Sequence, residues 1–333
     1  MSADEPVTLI AVARAAGVSK TTASDALRNS GRVSEATRAL VAETAIRLGY
    51  APNPSARSLR MATTGAIGLH LPDNLTRSEY YMSFAFGAVE QAARLNYNVT
   101  LIMSQQLSET GAFLPVDGVI LADPLETDPV VHRLMSSRVP VVTCERLTGP
   151  ASPDGVLRSD HAPMFEELLA RLHAGGARRP ALLASSAAGD WGASLQAAFR
   201  RWCRGNGIPT LLRELPFGTS PEDVPEYVRE LLEDHPDLDA LLCAPDGSAM
   251  VALPVLRDAG REVGRDLLLA SCVDSTPLQY ADPPITAIDL RPREAGAECA
   301  RLLFDILSGA APKGTERTLP IGINERASTR PSG

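Results

Sequence analysis

Residues 7–60 read VTLIAVARAAGVSKTTASDALRNSGRVSEATRALVAETAIRLGYAPNPSARSLR, and this stretch decides how the N-terminal part of the chain folds. It contains three helical patterns, each preceded by a hydroxyl residue that can cap a helix: Thr8, Ser19 and Ser34. Gly17 separates the first two patterns, and Gly49 ends the third as a left-handed C-cap would. We therefore predict a domain of short helices over residues 1–52.

A fourth, shorter element covers residues 53–60. Asn53 suits a helix N-cap and Pro54 suits the first helical position. Eight residues make only about two turns, which are not stable alone in water. We predict that this segment becomes helical only against a partner, so that residues 53–64 form a hinge and linker.

Residues 65–333 alternate between short apolar runs and amphipathic helical patterns. The predicted strands are 66–71, 99–103, 118–121, 140–143, 181–184, 240–243 and 267–271, and the predicted helices include 82–95, 164–173, 193–206 and 247–259. This alternation indicates an α/β fold with parallel sheets. The segment is long for one sheet, so we expect two subdomains with the switch between them near Arg158.

Charge is distributed unevenly along the chain, whose net value is −8. Residues 1–60 hold eight basic and five acidic side chains, a net +3, which leaves −11 for the remainder. A basic head on an acidic body suits a protein that docks its head on phosphates.

The rest of the composition excludes several classes of protein. No apolar run approaches the roughly 20 residues that span a bilayer, and the N-terminus has no secretory pattern, so we expect a cytoplasmic protein without a membrane partner. The five cysteines are scattered singly without metal-ligand spacing, and we expect buried thiols, no metal and no cofactor. No G-x-S-x-G, P-loop or H-E-x-x-H pattern suggests an enzyme.

The stretch from Val7 to Arg60 closely resembles, without a gap, the DNA-binding head of the LacI/GalR family of regulators. Later segments resemble the effector domain of that family, which is similar to periplasmic binding proteins: IGLHLP, PVDGVILADP, RVPVVTCER, SDHA and DPPITAIDL. The resemblance implies a helix-turn-helix head, two parallel-sheet subdomains, a homodimer, a near-palindromic operator and a small-molecule effector. It implies a transcriptional regulator, with repression as the expected outcome.

The second helix of the head would enter the major groove, whose width admits one helix. The residues expected to face DNA are Ser19, Lys20, Thr21, Thr22, Ser24 and Asp25. The resemblance implies that Lys20 and Thr21 read base edges. It places phosphate contacts at Thr8, Ser19, Thr22, Ser24 and Ser34, with Arg32 on the loop beside the backbone.

Asp25 departs from the pattern, since many relatives carry arginine there. It accepts a hydrogen bond from a cytosine, or it pairs along the helix with Arg28, and the second interpretation is favoured. In the hinge, the resemblance implies that Asn53 starts the helix, that Ala56 lets two helices approach, and that Leu59 wedges between base pairs in the minor groove. The alternative for Leu59 is a linker residue buried on its own domain.

A ligand would sit between the two subdomains at the carboxyl ends of the strands. The resemblance implies these cleft-facing candidates: Tyr81, Met82, Asp123, Glu145, Trp191, Asp246 and Asp274. The carboxylates could instead be surface or capping charges, and Tyr81 and Met82 could belong to the core.

Two positions that relatives reserve for polar sugar contacts are Leu195 and Val273 here. Without a guanidinium and a carboxylate, hydroxyls of a buried sugar would lose partners, at about 1 to 3 kcal/mol each. We therefore expect a ligand less polar than a simple sugar, such as an aromatic or partly deoxygenated compound, or an oligosaccharide held by its faces. The competing functions are a small-molecule binding protein or enzyme, and a regulator that no longer responds to a ligand.

Overall fold

The computed structural model describes residues 7–27, 30–50, 63–72, 78–103, 115–216 and 219–330. It contains two compact units, Met1–Thr64 and Gly65–Gly333, which we call the head and the body.

In the head, three helices follow the predicted caps: α1 (Leu9–Ala15), α2 (Lys20–Leu27) and α3 (Glu35–Leu48). The Thr8 hydroxyl accepts a hydrogen bond from the Ala11 backbone N–H, and Ser34 accepts one from Thr37, as expected of N-caps. Gly49 closes α3 with a φ of 68°, a conformation that glycine adopts without a steric penalty. A small core holds the helices together and includes Val12, Ala13, Ala23, Val41 and Ala45.

In the body, most strands are followed by a helix, whereas the strand Gly155–Ser159 directly follows the strand before it and the last two strands are also consecutive. The strands are β1 (Ala66–His70), β2 (Asn98–Ile102), β3 (Val119–Ala122), β4 (Val141–Cys144), β5 (Gly155–Ser159), β6 (Pro180–Ala184), β7 (Leu211–Glu214), β8 (Ala240–Cys243), β9 (Leu268–Ser271), β10 (Thr286–Asp289), β11 (Thr315–Leu319) and β12 (Gly322–Asn324). The helices are α4 (Glu79–Arg94), α5 (Pro129–Met135), α6 (His161–Ala174), α7 (Asp190–Asn206), α8 (Val224–Asp234), α9 (Ser248–Asp258), α10 (Thr276–Tyr280) and α11 (Pro292–Ser308), and Ala327–Thr329 form a 3₁₀ turn.

The strands form two six-stranded sheets, one in each subdomain. The order is β11-β5-β4-β3-β1-β2 in the first sheet and β12-β10-β9-β8-β6-β7 in the second. All pairs in the first sheet are parallel, and in the second sheet only β12 runs antiparallel, against β10. Helices cover both sheets, which is why most central strands are apolar throughout. The fold class predicted from the sequence is confirmed.

The chain passes between the subdomains three times: from β5 to α6, from β10 to α11, and from β11 to β12. Helix α11 therefore follows a strand of the second sheet but packs in the core of the first, through residues such as Cys299 and Leu303. The sequence predicted the first passage, near Arg158, whereas the other two were not anticipated.

Helices α4 and α11 cross at very short distance, and two glycines make the crossing possible. A Cβ atom at Gly87 would lie 1.9 Å from the backbone oxygen of Arg293, and one at Gly296 would lie 1.9 Å from the backbone oxygen of Phe84. Any larger side chain would push the helices apart. The crossing fixes α4, whose N-terminus enters the candidate effector site described below.

The described helices contain no segment that is long and apolar enough to span a bilayer.

Candidate DNA-binding surface and effector site

Helix α2 presents one polar face to solvent and packs the other into the head. Lys20 and Thr21 are exposed, whereas Ala23 and Ala26 are buried. Ser19 accepts a hydrogen bond from the Thr22 backbone N–H at 3.0 Å, and the two hydroxyl oxygens lie 2.8 Å apart. Serine and threonine hydroxyls therefore cap the helix and leave Lys20 and Thr21 free to project outward, as base-reading residues must.

Two residues predicted to face DNA are placed differently. Ser24 is only 8% exposed and points into the head, because it shares the inner face with Ala23. Asp25 is partly buried and its carboxylate lies against the turn before α3, where a Cβ at Gly31 would come within 2.9 Å of Oδ2. Arg28, the helix partner proposed for Asp25, lies outside the described residues.

Thr8, Arg32 and Ser34 are exposed, on the N-termini of α1 and α3 and the loop between α2 and α3. These are positions from which hydroxyl and guanidinium groups can reach a phosphate. The hinge residues Asn53, Ala56 and Leu59 lie outside the described residues, so the roles predicted for them stay predictions.

In the body, the four acidic candidates and Asp160, which was not predicted, follow the carboxyl ends of parallel strands. Asp123 follows β3, Glu145 follows β4, Asp160 follows β5, Asp246 follows β8 and Asp274 follows β9. Asp123 and Glu145 have φ values of 43° and 65°, which are rare for residues with a side chain. Strained backbone at strand ends is typical of binding sites.

Tyr81 on α4 donates a hydrogen bond from its hydroxyl to Oδ2 of Asp123 at 2.7 Å. Burial and the negative charge of Glu145 raise the pKa of Asp123 to about 6, although the Tyr81 hydroxyl and His161 oppose this. Burial also raises the pKa of Tyr81, so its hydroxyl keeps its proton. This pair joins α4 to the end of β3 and can accept a further hydrogen bond from a ligand.

Glu145 and His161 form a second, deeply buried pair, with 3% and 6% of their surface exposed. Oε1 of Glu145 lies 2.9 Å from Nε2 of His161 and accepts a hydrogen bond from the Ser159 backbone N–H at 3.2 Å. The ring nitrogen is close to the carboxylate but is not aligned for a hydrogen bond. Within the described part of the chain, Oε2 of Glu145 and both nitrogens of His161 have no hydrogen-bond partner.

Buried polar atoms in proteins almost always have a partner, so these three atoms indicate a position for a ligand or a water molecule. The Trp191 ring, at the start of α7, lies 6.5 Å from the His161 ring, edge to face. Sequence reasoning missed His161. The signal that could have found it is its place in SDHA, directly after β5, where side chains face the cleft.

Asp246 belongs to the contact between the subdomains. The Ser78 hydroxyl, at the N-terminus of α4, donates to Oδ2 of Asp246 at 2.5 Å. Burial raises the pKa of Asp246, and hydrogen bonds from Ser78 and the Gly247 backbone oppose this rise. One residue further along α4, Glu79 accepts hydrogen bonds from the backbone and hydroxyl of Thr276 at 3.0 and 2.6 Å.

Two predicted effector residues do not join this cluster. Met82 is exposed on another face of α4, beside Phe86 and Val89. Both carboxylate oxygens of Asp274 bind the Arg326 guanidinium, at 2.7 and 2.8 Å, and Asn324 donates to one of them.

Asn324 and Arg326 line an open groove of about 610 Å³, together with Arg171 and Arg330. Each of its three arginines is paired with a carboxylate, which is Asp274 for Arg326 and Glu325 for the other two. The described residues that line the groove therefore offer no free cation to an anionic ligand.

The two altered positions are apolar in the structure as well as in the sequence. Leu195 and Val273 are buried in the core of the second subdomain, in the same cluster that Trp191 packs against. Gln196, next to Leu195, donates to the Ser185 carbonyl at 2.9 Å and is also buried. The described site thus combines carboxylates, one histidine and the Trp191 ring, and the two altered positions add no polar group to it.

Comparison with known proteins identifies the family of each of the two units. Residues 8–53 match the model of the lacI family of bacterial regulatory proteins, and residues 169–329 match a periplasmic binding protein-like domain. The HTH-type transcriptional regulator CelR of Thermobifida fusca is 30% identical over 332 residues, which cover 96% of this chain and 98% of CelR. The maltose regulon regulatory protein MalI of Escherichia coli is 29% identical, with 90% and 92% covered.

Solved structures agree with the sequence relatives. A complex of the transcriptional regulator CelR with cellobiose superposes with a TM-score of 0.74 at 28% identity, covering 97% of this chain and 99% of the other. A lac repressor dimer, bound to its operator and an anti-inducer, superposes with a TM-score of 0.83 at 24% identity, with 98% and 100% covered, which supports the fold. The chain therefore belongs to the LacI family and is a DNA-binding transcriptional regulator.

Proposed function

We propose that the protein is a homodimeric, operator-binding repressor whose affinity for DNA is controlled by a small molecule bound between its two subdomains. The observation that carries the effector site is the buried Glu145–His161 pair, which has unpartnered polar atoms. Both residues lie close enough to Asp123, the acceptor of the Tyr81 hydroxyl, for their charges to affect its pKa. A structural pair would satisfy these atoms within the protein, whereas a binding site leaves them for the ligand.

The effector we propose is a cyclic, donor-rich molecule of the oligosaccharide class. Asp123, Glu145 and Asp246 are hydrogen-bond acceptors, which suit ligand hydroxyl or amino groups. Trp191 offers a flat ring on which a sugar face can stack. CelR, which binds cellobiose in its solved complex, provides the precedent for a disaccharide. The apolar Leu195 and Val273 argue against a single fully hydroxylated monosaccharide.

The occupant we propose for the exposed face of α4 is a second copy of the chain. Met82, Phe86 and Val89 are spaced at one helical repeat and are all exposed, with Phe86 at 54%. Such an apolar stripe on a soluble protein usually marks an interface. The lac repressor structure contains a dimer, which is a precedent for a second copy of the chain as the occupant. Met82 would then act in dimerisation rather than in effector binding.

The exposed residues of the head lead to the contacts with DNA that we propose. Lys20 and Thr21 would contact base edges, and Thr8, Ser19, Arg32 and Ser34 would contact phosphates. Asn53, Ala56 and Leu59 would form a hinge helix in the minor groove. A dimer would place two heads on a near-palindromic site. A protein of this function works in the cytoplasm, where the genome is.

Selection of double-stranded oligonucleotides by the purified full-length protein tests this function. We expect a symmetric motif to be enriched, and we expect cellobiose or a related oligosaccharide to change occupancy of that motif. An asymmetric or unselective outcome would contradict the regulator mechanism. Enrichment without a response to any ligand in a broad saccharide panel would favour a regulator that no longer uses an effector.

A further inference from the structure

We infer that the effector carries a protonated amino group, as an amino sugar does, and that this group binds between Asp123 and Glu145. The inference rests on the proposed function, because it assigns a chemical class to the ligand of the same site. It comes from a shortage of positive charge around the carboxylates of this site, of which Glu145 is buried and Asp123 and Asp246 are partly buried.

The charges that act on Asp123 are mostly negative. Glu145 and Asp190 disfavour its ionised form, and the opposing groups are the neutral Tyr81 hydroxyl and a single histidine, His161. Around Asp246, the acting charge is again negative, from Glu79. Neither carboxylate forms an ion pair with an arginine or lysine within the described residues.

The arginines nearest in sequence to Glu145 and His161 form ion pairs outside the site. Arg146 follows Glu145, and Arg158 precedes His161 by three residues, yet both guanidinium groups bind Glu316 on β11, at 2.7 and 2.6 Å. The position where relatives carry an arginine holds Leu195, which is buried in the core. Among the described residues, no arginine or lysine pairs with Asp123 or Glu145, and the two neighbouring guanidinium groups bind an outer strand instead.

A second, independent observation shows where a cation would bind. Oε2 of Glu145 is buried without a hydrogen-bond partner, although Oε1 is engaged by Ser159 and lies beside His161. An ammonium group provides three donors and a positive charge, so it can satisfy Oε2 and an Asp123 oxygen together. A hydroxyl group provides one donor and leaves the two carboxylates repelling each other.

A metal ion is a poorer match to these residues. Within the described ranges, no three histidine, cysteine or acidic side chains are grouped so that they could hold a metal. An amine on a cyclic ligand also uses Trp191, whose ring lies within 6.5 Å of the His161 ring and can take the apolar face of a sugar.

Isothermal titration of full-length protein at pH 7 tests the inference with ligands that differ at one group. The probes are the disaccharide of two glucosamine units, its N-acetylated form, and cellobiose, with glucosamine and glucose as a smaller pair. We expect the amine to bind at least tenfold more tightly than its hydroxyl or acetylated counterpart. Glu145→Gln should abolish that preference, and Glu226→Gln, on the exposed surface of α8, should retain it.

The outcomes separate the inference from the proposed function. If cellobiose binds as tightly as the diamine and releases operator DNA, the effector site stands but the amine assignment is overturned. If the amine preference survives in Glu145→Gln, the assignment is equally overturned. If no probe binds and none alters operator occupancy, the inference fails and effector control loses its support as well.

The same titration at pH 5 provides an independent check. Glu145, Asp190 and His161 are the charged groups that act on Asp123, and protonation of Asp123 removes one of the negative charges that would hold the amine. We therefore expect the amine preference to diminish as pH falls through the Asp123 pKa of about 6. A preference that is unchanged or larger at pH 5 would contradict the inference.

Discussion

At the scale of single residues, the DNA-facing surface separates residues that read sequence from residues that hold phosphate. Lys20 is exposed on α2, and Arg32 is exposed on the loop before α3. We expect Lys20→Ala to relax preference for one operator base, at about 1 to 3 kcal/mol, and Arg32→Ala to weaken binding to all sequences alike. Fluorescence anisotropy against an operator and a scrambled duplex, over a range of salt, measures both. Equal losses on both duplexes for Lys20→Ala would remove its base-reading role.

The raised pKa of Asp123 leads to a prediction about how stability depends on pH, because its value of about 6 exceeds the ordinary value of 3.8. A carboxyl whose pKa is raised by folding stabilises the native state below pH 3.8, and this contribution is lost as pH rises through 6. We expect Asp123→Asn to stabilise the protein at pH 7 by about 1 to 2 kcal/mol, after discounting for partial exposure, and to have no such benefit at pH 4. Urea unfolding at the two pH values measures this, with Asp234→Asn as the surface control.

At the scale of elements, the crossing of α4 and α11 depends on two glycines that touch the opposite backbone. We expect Gly87→Ala to destabilise the body by about 1 to 3 kcal/mol, since its Cβ would lie 1.9 Å from the Arg293 oxygen. Gly205→Ala is the matched control, because it lies in α7 with no atom within 4 Å of the added Cβ. That change should stabilise by about 0.5 to 1 kcal/mol. Similar unfolding midpoints for the two variants would show that the crossing can relax.

The hinge element gives a second prediction. Leu59 is expected to unstack a base step, at a cost of about a few kcal/mol offset by added contacts. Leu59→Ala should therefore preserve fold and dimer but reduce the bend of operator DNA. Gel mobility on permuted fragments measures the bend, and an unaltered bend angle would exclude Leu59 as the wedge.

At the scale of the whole molecule, dimerisation determines whether two heads can occupy one operator. Phe86→Glu would place a charge in the exposed stripe of α4, and we expect it to produce monomers and to reduce operator affinity at least tenfold. Ala197→Glu, on the exposed side of α7, adds the same charge away from the stripe. Sedimentation velocity compares the two, and a Phe86→Glu protein that remains dimeric would place the interface elsewhere.

The effector mechanism also belongs to this scale. Ser78 and Glu79, at the N-terminus of α4, bind Asp246 and Thr276 of the second subdomain. We expect a ligand that competes for Asp246, or that adds contacts on both sides, to change how firmly these contacts hold the two subdomains together. A few kcal/mol of differential affinity is sufficient to change operator occupancy.

The sequence by itself determined the elements whose ends are fixed by local interactions. Thr8, Ser19, Ser34 and Gly49 cap the helices of the head at the predicted positions, because a cap needs only its own backbone neighbours. The seven predicted strands are also present, with ends shifted by one residue or less, because a buried parallel strand is a continuous apolar run.

Only the tertiary structure decided which residues meet. The strands that the sequence did not predict are β5, β7, β10, β11 and β12, and several are short, polar or at sheet edges, where the neighbouring strand supplies the pairing. Tyr81 is buried and Met82 is exposed, because one face of α4 packs on the sheet and the other faces solvent. The pairing of Glu145 with His161 arises because adjacent parallel strands end at the same edge. The sequence can place each residue after a strand, but only the order of the strands in the sheet decides that the two residues meet.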